Sequence, residues 1–288
     1  MFSTAILLIS FNRPDLTHKM LKAIKKVRPC ILYFAVDGPR PGNEEDKIKC
    51  KKNKQLIKFV DWKCDVKTLF QKKNLGCGLG PVTAINWFFE NVEKGIILED
   101  DCIPGKDFFK FCNQLLAYYR NEPRVMHISG DNFQYGITRG KYSYYFSEYT
   151  HSWGWATWRR AWKHNNYYCI PKIERKDVWD RQWMMSVRKN NGMAILPNVN
   201  LVKNIGFGKN ATHTVDREVK YAFLPTEKMV FPLIHPAEIE RNIPADLFTY
   251  RNHFKGSMFG VFRENVLGLV PLTVKDTIKR IINKTLEI

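Results

Sequence analysis

Acid is what this sequence has too little of. Against 46 Lys and Arg stand only 28 Asp and Glu in 288 residues, a formal net charge of +18. Such an excess attracts polyanions, whether nucleic acid, anionic lipid, acidic polysaccharide or phosphorylated substrate, and does not choose among them. Cysteine is also sparse: seven residues, at 30, 50, 64, 77, 102, 112 and 169, with no C-x-x-C pair. An odd count without metal-ligand spacing argues against a disulfide framework and against a zinc site, and points to a reducing compartment. No apolar run is long enough to span a bilayer. No basic region precedes the first apolar stretch, so a signal peptide is not expected and the chain reads as cytoplasmic. Internal repeats and low-complexity linkers are missing too. Core-forming material is plentiful: 44% of residues are hydrophobic and 14% aromatic. That composition argues against disorder and suits one large α/β domain, with or without a short extension.

The apolar pattern predicts an alternating series. Residues 5–10 form a short continuous apolar run, as expected of a parallel strand buried on both faces. Leu16, Met20, Leu21 and Ile24 follow at helical spacing. Strands are expected at 31–36, 68–71 and 95–98, helices at 48–60 and 81–91, and a glycine loop at 74–80. The order β-α-β-α-β-α-β implies a mostly parallel sheet with helices on both faces. Downstream, a helix is expected at 107–119 and strands at 126–130, 142–146 and 194–201. Segments 158–165 and 179–190 read as helical, with Trp155, Trp158 and Trp162 at the spacing of one helix face. The domain is expected to end near residue 225, leaving 226–288 as an extension.

Ligands of such sheets bind beyond the carboxyl ends of the strands. There the sequence places Asn12 and Arg13, then Asp37 and Gly38, then Glu99, Asp100 and Asp101. Three acids directly after a buried strand are costly to bury unpaired. A hard divalent cation, Mn²⁺ or Mg²⁺, resolves that cost, because such ions take carboxylate and phosphate oxygens. Asp101 is the expected direct ligand, with Glu99 and Asp100 contacting ribose or donor sugar. A solvated acidic turn is the plainer alternative. The glycine run 74–80 lacks the spacing of a dinucleotide fingerprint.

At these residues the chain resembles glycosyltransferases of the GT-A fold, above all bacterial glycosyltransferase-2-like proteins and, more distantly, the N-acetylglucosaminyltransferase I family. The resemblance rests on Ile9-Ser-Phe-Asn-Arg-Pro, Ala35-Val-Asp-Gly, Leu98-Glu-Asp-Asp-Cys-Ile-Pro-Gly-Lys-Asp-Phe-Phe, His151-Ser-Trp-Gly-Trp-Ala-Thr-Trp and Trp179-Asp-Arg-Gln-Trp. It spans roughly residues 4–215. The acidic triplet departs from the family's common D-x-D form. The resemblance implies a GT-A-like, Rossmann-like catalytic domain, a nucleoside-diphosphate sugar donor (UDP-linked), a glycan or glycolipid acceptor and a divalent metal. It implies that Asp37 receives the nucleobase, that Trp153, Gly154 and Trp155 shape the sugar and acceptor site, and that His213 completes the metal sphere. Arg13 and Lys209 would help to neutralise the diphosphate. Asp180 is implied as the base, with Asp177 as its substitute; from the residues alone, a helix-starting Asp is the stronger reading.

Two rival readings remain open at this point. A nucleotidyltransferase also joins such a sheet to acidic metal ligands, though no triphosphate-binding basic motif is visible. A basic nucleic-acid-binding protein suits the charge, but no recognition module is present, and nucleic acid is not expected as a partner. Near the C-terminus, Val274, Ile278, Ile281 and Ile282 share a helical face flanked by Lys275, Lys279, Arg280 and Lys284. Such a helix either lies on an anionic membrane surface or docks on the catalytic domain.

Overall fold

The computed structural model describes residues 2–166, 179–207 and 224–253. Its centre is an eight-stranded sheet. In chain order the elements are β1 (Ala5–Ser10), α1 (Pro14–Lys25), β2 (Ile31–Val36), α2 (Glu44–Gln55), β3 (Asp65–Phe70), α3 (Gly76–Asn91), β4 (Lys94–Glu99), β5 (Cys102–Pro104) and α4 (Phe108–Tyr118). Then follow β6 (Val125–Ser129), β7 (Tyr144–Ser147), β8 (Trp155–Trp158), α5 (Arg159–Trp162), α6 (Trp179–Lys189), β9 (Met193–Pro197) and β10 (Val202–Asn204). The spatial order is β3-β2-β1-β4-β8-β6-β9-β7. Strands β1 to β4 are mutually parallel; β8 runs antiparallel between β4 and β6, β9 is parallel to β6, and β7 closes the far edge antiparallel. This is the α/β, mostly parallel, Rossmann-like sheet flanked by helices that the sequence predicts.

The continuous apolar runs are explained by two cores, one on each face. Alternate side chains of a strand point to opposite faces. Ile6, Leu8, Phe34, Ile96 and Leu98 pack with Met20, Leu21 and Ile24 of α1 and with Phe108, Phe111 and Leu115 of α4. Leu7, Ala35 and Ile97 pack on the other face with Ile85 and Phe88 of α3 and with Trp179 and Trp183 of α6. Both faces being dry, no position within β1 or β4 calls for a polar side chain until the strand ends.

Three expectations change. Trp155 and Trp158 do not lie on a helix. They are the ends of strand β8, in register with Ile97 and Lys94, and they face opposite cores. Four consecutive buried positions between two strands outweigh a spacing of three. The 74–80 glycine loop is largely the first turn of α3, whose start is held by Asp37. Helix α2 begins earlier than the apolar pattern shows, because Asn43 caps it: its side chain accepts from the Asp46 N–H at 2.9 Å.

Residues 226–242, expected in the extension, group with the first compact unit, which ends at Asn242. Their chain is stitched to it: Met229 N–H donates to Asp107 (3.1 Å), Tyr144 Oη meets His235 Nδ1 (2.6 Å) and Asn242 N–H donates to the Phe146 carbonyl (2.8 Å). The second unit begins at Ile243, and helix α7 (Ile243–His253) is its described part. The basic helix expected around 274–286 lies outside the described residues. Among the described residues no helix is long and apolar enough to cross a membrane, and no disulfide joins the cysteines.

Gly95 fixes how closely α3 sits on the sheet. A Cβ there would come within 2.2 Å of the Phe88 ring and 3.0 Å of the Ala5 carbonyl. Phe88 is wholly buried and has nowhere to go. Gly95→Ala is therefore expected to destabilise the protein by about 1–3 kcal/mol, the usual cost of overpacking, as a lowered midpoint in urea denaturation.

Candidate active site

The strand directions gather the polar residues at one edge. β1, β2 and β4 end there at Ser10, Val36 and Glu99, as do the parallel β6 and β9, while the antiparallel β8 starts there at Trp155. The turns that follow or precede these ends bring together Arg13, Asp37, Glu99, Asp100, Asp101, Asp131, His151 and Trp153.

At the centre is a three-residue ion cluster. Arg13, the residue before α1, places one guanidinium nitrogen, Nη2, directly on Asp100 Oδ1 and the other, Nη1, 2.9 Å from Asp101 Oδ2. Thr17, one turn into α1, lies with its hydroxyl 3.4 Å from the second Asp100 oxygen. Asp100 is buried, whereas the Asp101 side chain keeps 15% of its surface. The antiparallel ribbon of β5 and β10 brings residues 205–207 against Asp101: Ile205 N–H donates to the Asp101 carbonyl at 2.8 Å. A Cβ on Gly206 would lie 2.2 Å from Asp101 Oδ2, so only glycine allows this approach.

The charges are crowded. Burial first, and then Asp101, Asp180 and Asp100, push the Glu99 carboxyl up to about 8, with Arg13 opposing. Burial pushes Asp100 up to about 6, against the pull of Arg13. Burial also acts on the Arg13 guanidinium, to lower it, but Asp100 and Asp101 outweigh burial and hold it firmly charged. Three carboxyl groups and one guanidinium thus share a partly dry edge, with Asp180 near enough to act on Glu99, so acidic groups outnumber basic ones.

The segment 151–154 forms the other wall. Gly154 takes a left-handed conformation (φ +64°), and its carbonyl accepts from Gly130 N–H at 2.8 Å. Trp153 packs edge-on against Phe133 and Phe207, with centroids at 4.9 and 5.5 Å. The His151 ring meets Asp131 at 3.1 Å and stacks on Phe133. Behind it, Trp183 Nε1–H of α6 donates to His127 Nδ1 at 3.1 Å. Indole only donates, so His127 carries its proton on Nε2 and gives that bond to the His151 carbonyl at 2.8 Å. Burial pushes His127 down to about 3, which keeps it neutral. Sequence reading missed His127 and Asp131; the sign of them was a histidine and a serine interrupting the apolar strand 125–129.

The expected site residues fare differently. Arg13, Asp100 and Asp101 meet in one ion cluster; Glu99 ends β4 just before them, and Asp180 at the start of α6 is close enough to help raise it. Trp153 and Gly154 lie at the same edge. Trp155, expected beside the ligand, is fully buried instead, stacked between Trp179 and His127 in the core. Asp100, expected on ribose or sugar, is enclosed and engaged by Arg13. Asp37 holds the turn before α3: Leu75 and Gly76 N–H donate to it at 3.0 and 3.1 Å, and Asn74 Nδ2 at 3.0 Å. Lys209, His213 and Asp177 lie outside the described residues. Among the described residues no group of three or more His, Cys, Asp or Glu side chains is arranged to hold a metal ion.

No protein-family model matches the chain, and no curated protein matches it. Solved structures do. A mannosyltransferase, PcManGT from Pyrobaculum calidifontis, in complex with GDP-Man and Mn²⁺, aligns at 12% identity and a TM-score of 0.45 over 68% of this chain; the alignment spans 55% of that protein, little more than half its length. A UDP-glucose pyrophosphorylase complexed with UDP-glucose aligns at 9% identity and 0.41, over 68% of this chain and 91% of the other. A cytidylyltransferase from Leptospira borgpetersenii serovar Hardjo-bovis aligns at 13% and 0.37, over 60% and 68%. At these identities and scores no site residue and no activity is transferred from them.

The crowding has a consequence for stability. Between its ordinary value of 4.5 and about 8, Glu99 holds a proton in the folded protein that the unfolded chain has released. Stability therefore falls as pH rises through that window. In EDTA, the melting temperature is expected to drop from pH 5 to pH 8, and Glu99→Gln is expected to flatten the slope. Equal slopes in wild type and variant, read by thermal scans, would contradict this account.

Proposed function

We propose that the protein is a metal-dependent, inverting glycosyltransferase that moves a sugar from a nucleoside-diphosphate donor, UDP-linked in the first instance, to a hydroxyl of a glycan or glycolipid. The observation that supports it most is the ion cluster of Arg13, Asp100 and Asp101 at the strand edge, with Asp180 of α6 near enough to help raise Glu99.

A divalent cation, Mn²⁺ or Mg²⁺, fits this donor set. The ligands are hard oxygens, and the excess of carboxylate over guanidinium is the condition a cation relieves. Such ions commonly take one or two protein carboxylates and complete their shell with substrate phosphates and water. Asp101, the accessible acid, would hold it, and His213 is the candidate to join it. When bound, the cation supplies neutralisation of the charge on the departing diphosphate.

The chain's own residues supply the rest. Asp180 accepts the proton of the acceptor hydroxyl as its oxygen bonds to the anomeric carbon. The bond from that carbon to the diphosphate oxygen breaks, and the configuration inverts. Glu99, whose carboxyl both Asp101 and Asp180 help to raise, is the candidate contact for the hydroxyls of the donor sugar. Trp153 offers an aromatic face for the apolar side of a sugar ring. Asp37, braced by the α3 turn, is the candidate contact for the nucleobase, and Lys209 and Arg13 for the diphosphate. A basic enzyme of this kind suits acceptors at an anionic membrane.

A nucleotidyltransferase would use the same acidic edge, and the products separate the two. Incubation with Mn²⁺ and a panel of nucleotide sugars is expected to release nucleoside diphosphate, and EDTA to stop it. Pyrophosphate release from a nucleoside triphosphate and a sugar phosphate, with no diphosphate release from any nucleotide sugar, would establish the other reaction.

Asp180→Asn preserves shape but cannot take a proton. Transfer at saturating donor is expected to fall roughly 10²–10⁴-fold, with nucleotide affinity near that of wild type. A purely structural helix-start role would instead lower stability by about 1 kcal/mol and leave turnover within a few-fold.

A further inference from the structure

Arg13 holds its two carboxylates in unequal ways. The Nη2 arm is committed. Asp100 is 1% exposed, its other oxygen faces the Thr17 hydroxyl, and a carboxylate buried there without its partner would be strongly destabilising. The Nη1 arm holds the less enclosed of the two. It lies 2.9 Å from Asp101 Oδ2, in a pair whose side chains keep 23% and 15% of their surface.

Asp101 itself has little freedom. Its Oδ1 takes a weak bond from the Cys102 thiol at 3.2 Å. Gly206 packs so closely that even a Cβ would fall within 2.2 Å of Oδ2. Gly206 thus lies close on the Oδ2 side of the carboxylate. A cation that takes Oδ2 of Asp101 therefore competes with the Nη1 arm for the same oxygen.

We infer that Arg13 is an internal counter-cation that competes with a divalent metal for Asp101, and that on displacement it hands its freed arm to an anionic oxygen of the nucleotide. The inference rests on the metal-dependent reading above and deepens it. Because Nη2 stays on Asp100, the displaced arm remains at the same strand edge. Arg13 thereby weakens the metal when it arrives alone and strengthens the nucleotide once the metal is present. Such coupling is reciprocal by thermodynamic necessity.

The test is calorimetric titration of the full chain with Mn²⁺ alone, and with UDP in the presence of saturating Mn²⁺, for wild type, Arg13→Gln and Arg13→Lys. A thermal scan of each variant checks that it is folded. Arg13→Gln is expected to bind Mn²⁺ about tenfold more tightly than wild type, within the usual range of such couplings, and to bind UDP with Mn²⁺ less tightly. Arg13→Lys keeps a charge for Asp100, so it remains informative where the glutamine variant fails to fold. Its single ammonium lacks the fork, and it is expected to show the same changes, smaller in size. A residue that merely supports the fold would weaken both ligands together. Wild type binding Mn²⁺ with every folded variant equal or weaker overturns the competition and leaves the metal-dependent reading standing. No Mn²⁺ binding by wild type or by any folded variant overturns the metal-dependent reading, and the inference with it.

Discussion

A carboxylate that leaves water needs a positive partner, and most of this site's geometry follows from meeting that need for Asp100. The Asp100 side chain is enclosed where β4 ends, and Arg13 supplies the charge from the beginning of α1. Since buried ion pairs tolerate little displacement, the pair fixes the start of α1 against the β4–β5 turn. Thr17 adds a contact from the next turn of the helix. Asp101, the next residue, is thereby held at the solvent edge with one oxygen against the guanidinium. The ion pair thus orders two neighbouring acids into different roles, one structural and enclosed, the other accessible.

The same edge receives its remaining groups because the sheet changes direction beside β4. A wholly parallel sheet would place only strand ends there. By running antiparallel, β8 delivers the segment before it, and so Trp153 and Gly154 arrive opposite the acids. This segment is tied to the sheet through the His151 carbonyl and the neutral His127, and through His127 to Trp183 of α6. Helix α6 also carries Asp180. One chain of hydrogen bonds between neutral groups therefore connects the aromatic wall to the helix that presents the second acid, and it does so without adding charge to a site already crowded with it.

Much of the sheet was legible because both its faces are dry. Strands buried on two sides read as unbroken apolar runs, and β1 and β2 were bounded to the residue. The acidic triplet was legible for the complementary reason, that polar groups cannot continue such a run. Other elements were hidden. The tryptophans of β8 sit three apart and so imitate a helix face, since bulky residues on the two sides of a strand show no alternation of polar and apolar. The start of α3 was hidden in its glycines, because what holds it is Asp37, almost forty residues earlier. His127 and Asp131 were hidden because the groups they meet, Trp183 and His151, are distant in the chain.

The sequence by itself determined the α/β class, the dry strands and the collection of Arg13, Asp37, Glu99, Asp100 and Asp101 at strand ends, because burial and polarity are local properties of a segment. Only the tertiary structure decided which of these groups face one another. That Asp100 is enclosed while Asp101 keeps part of its surface, that Asp37 is taken up by a turn, that Trp155 belongs to the core, and that Asp180 of α6 acts on Glu99 all depend on strand order and direction. Those are set by the packing of two cores on a single sheet, and no segment contains that information alone.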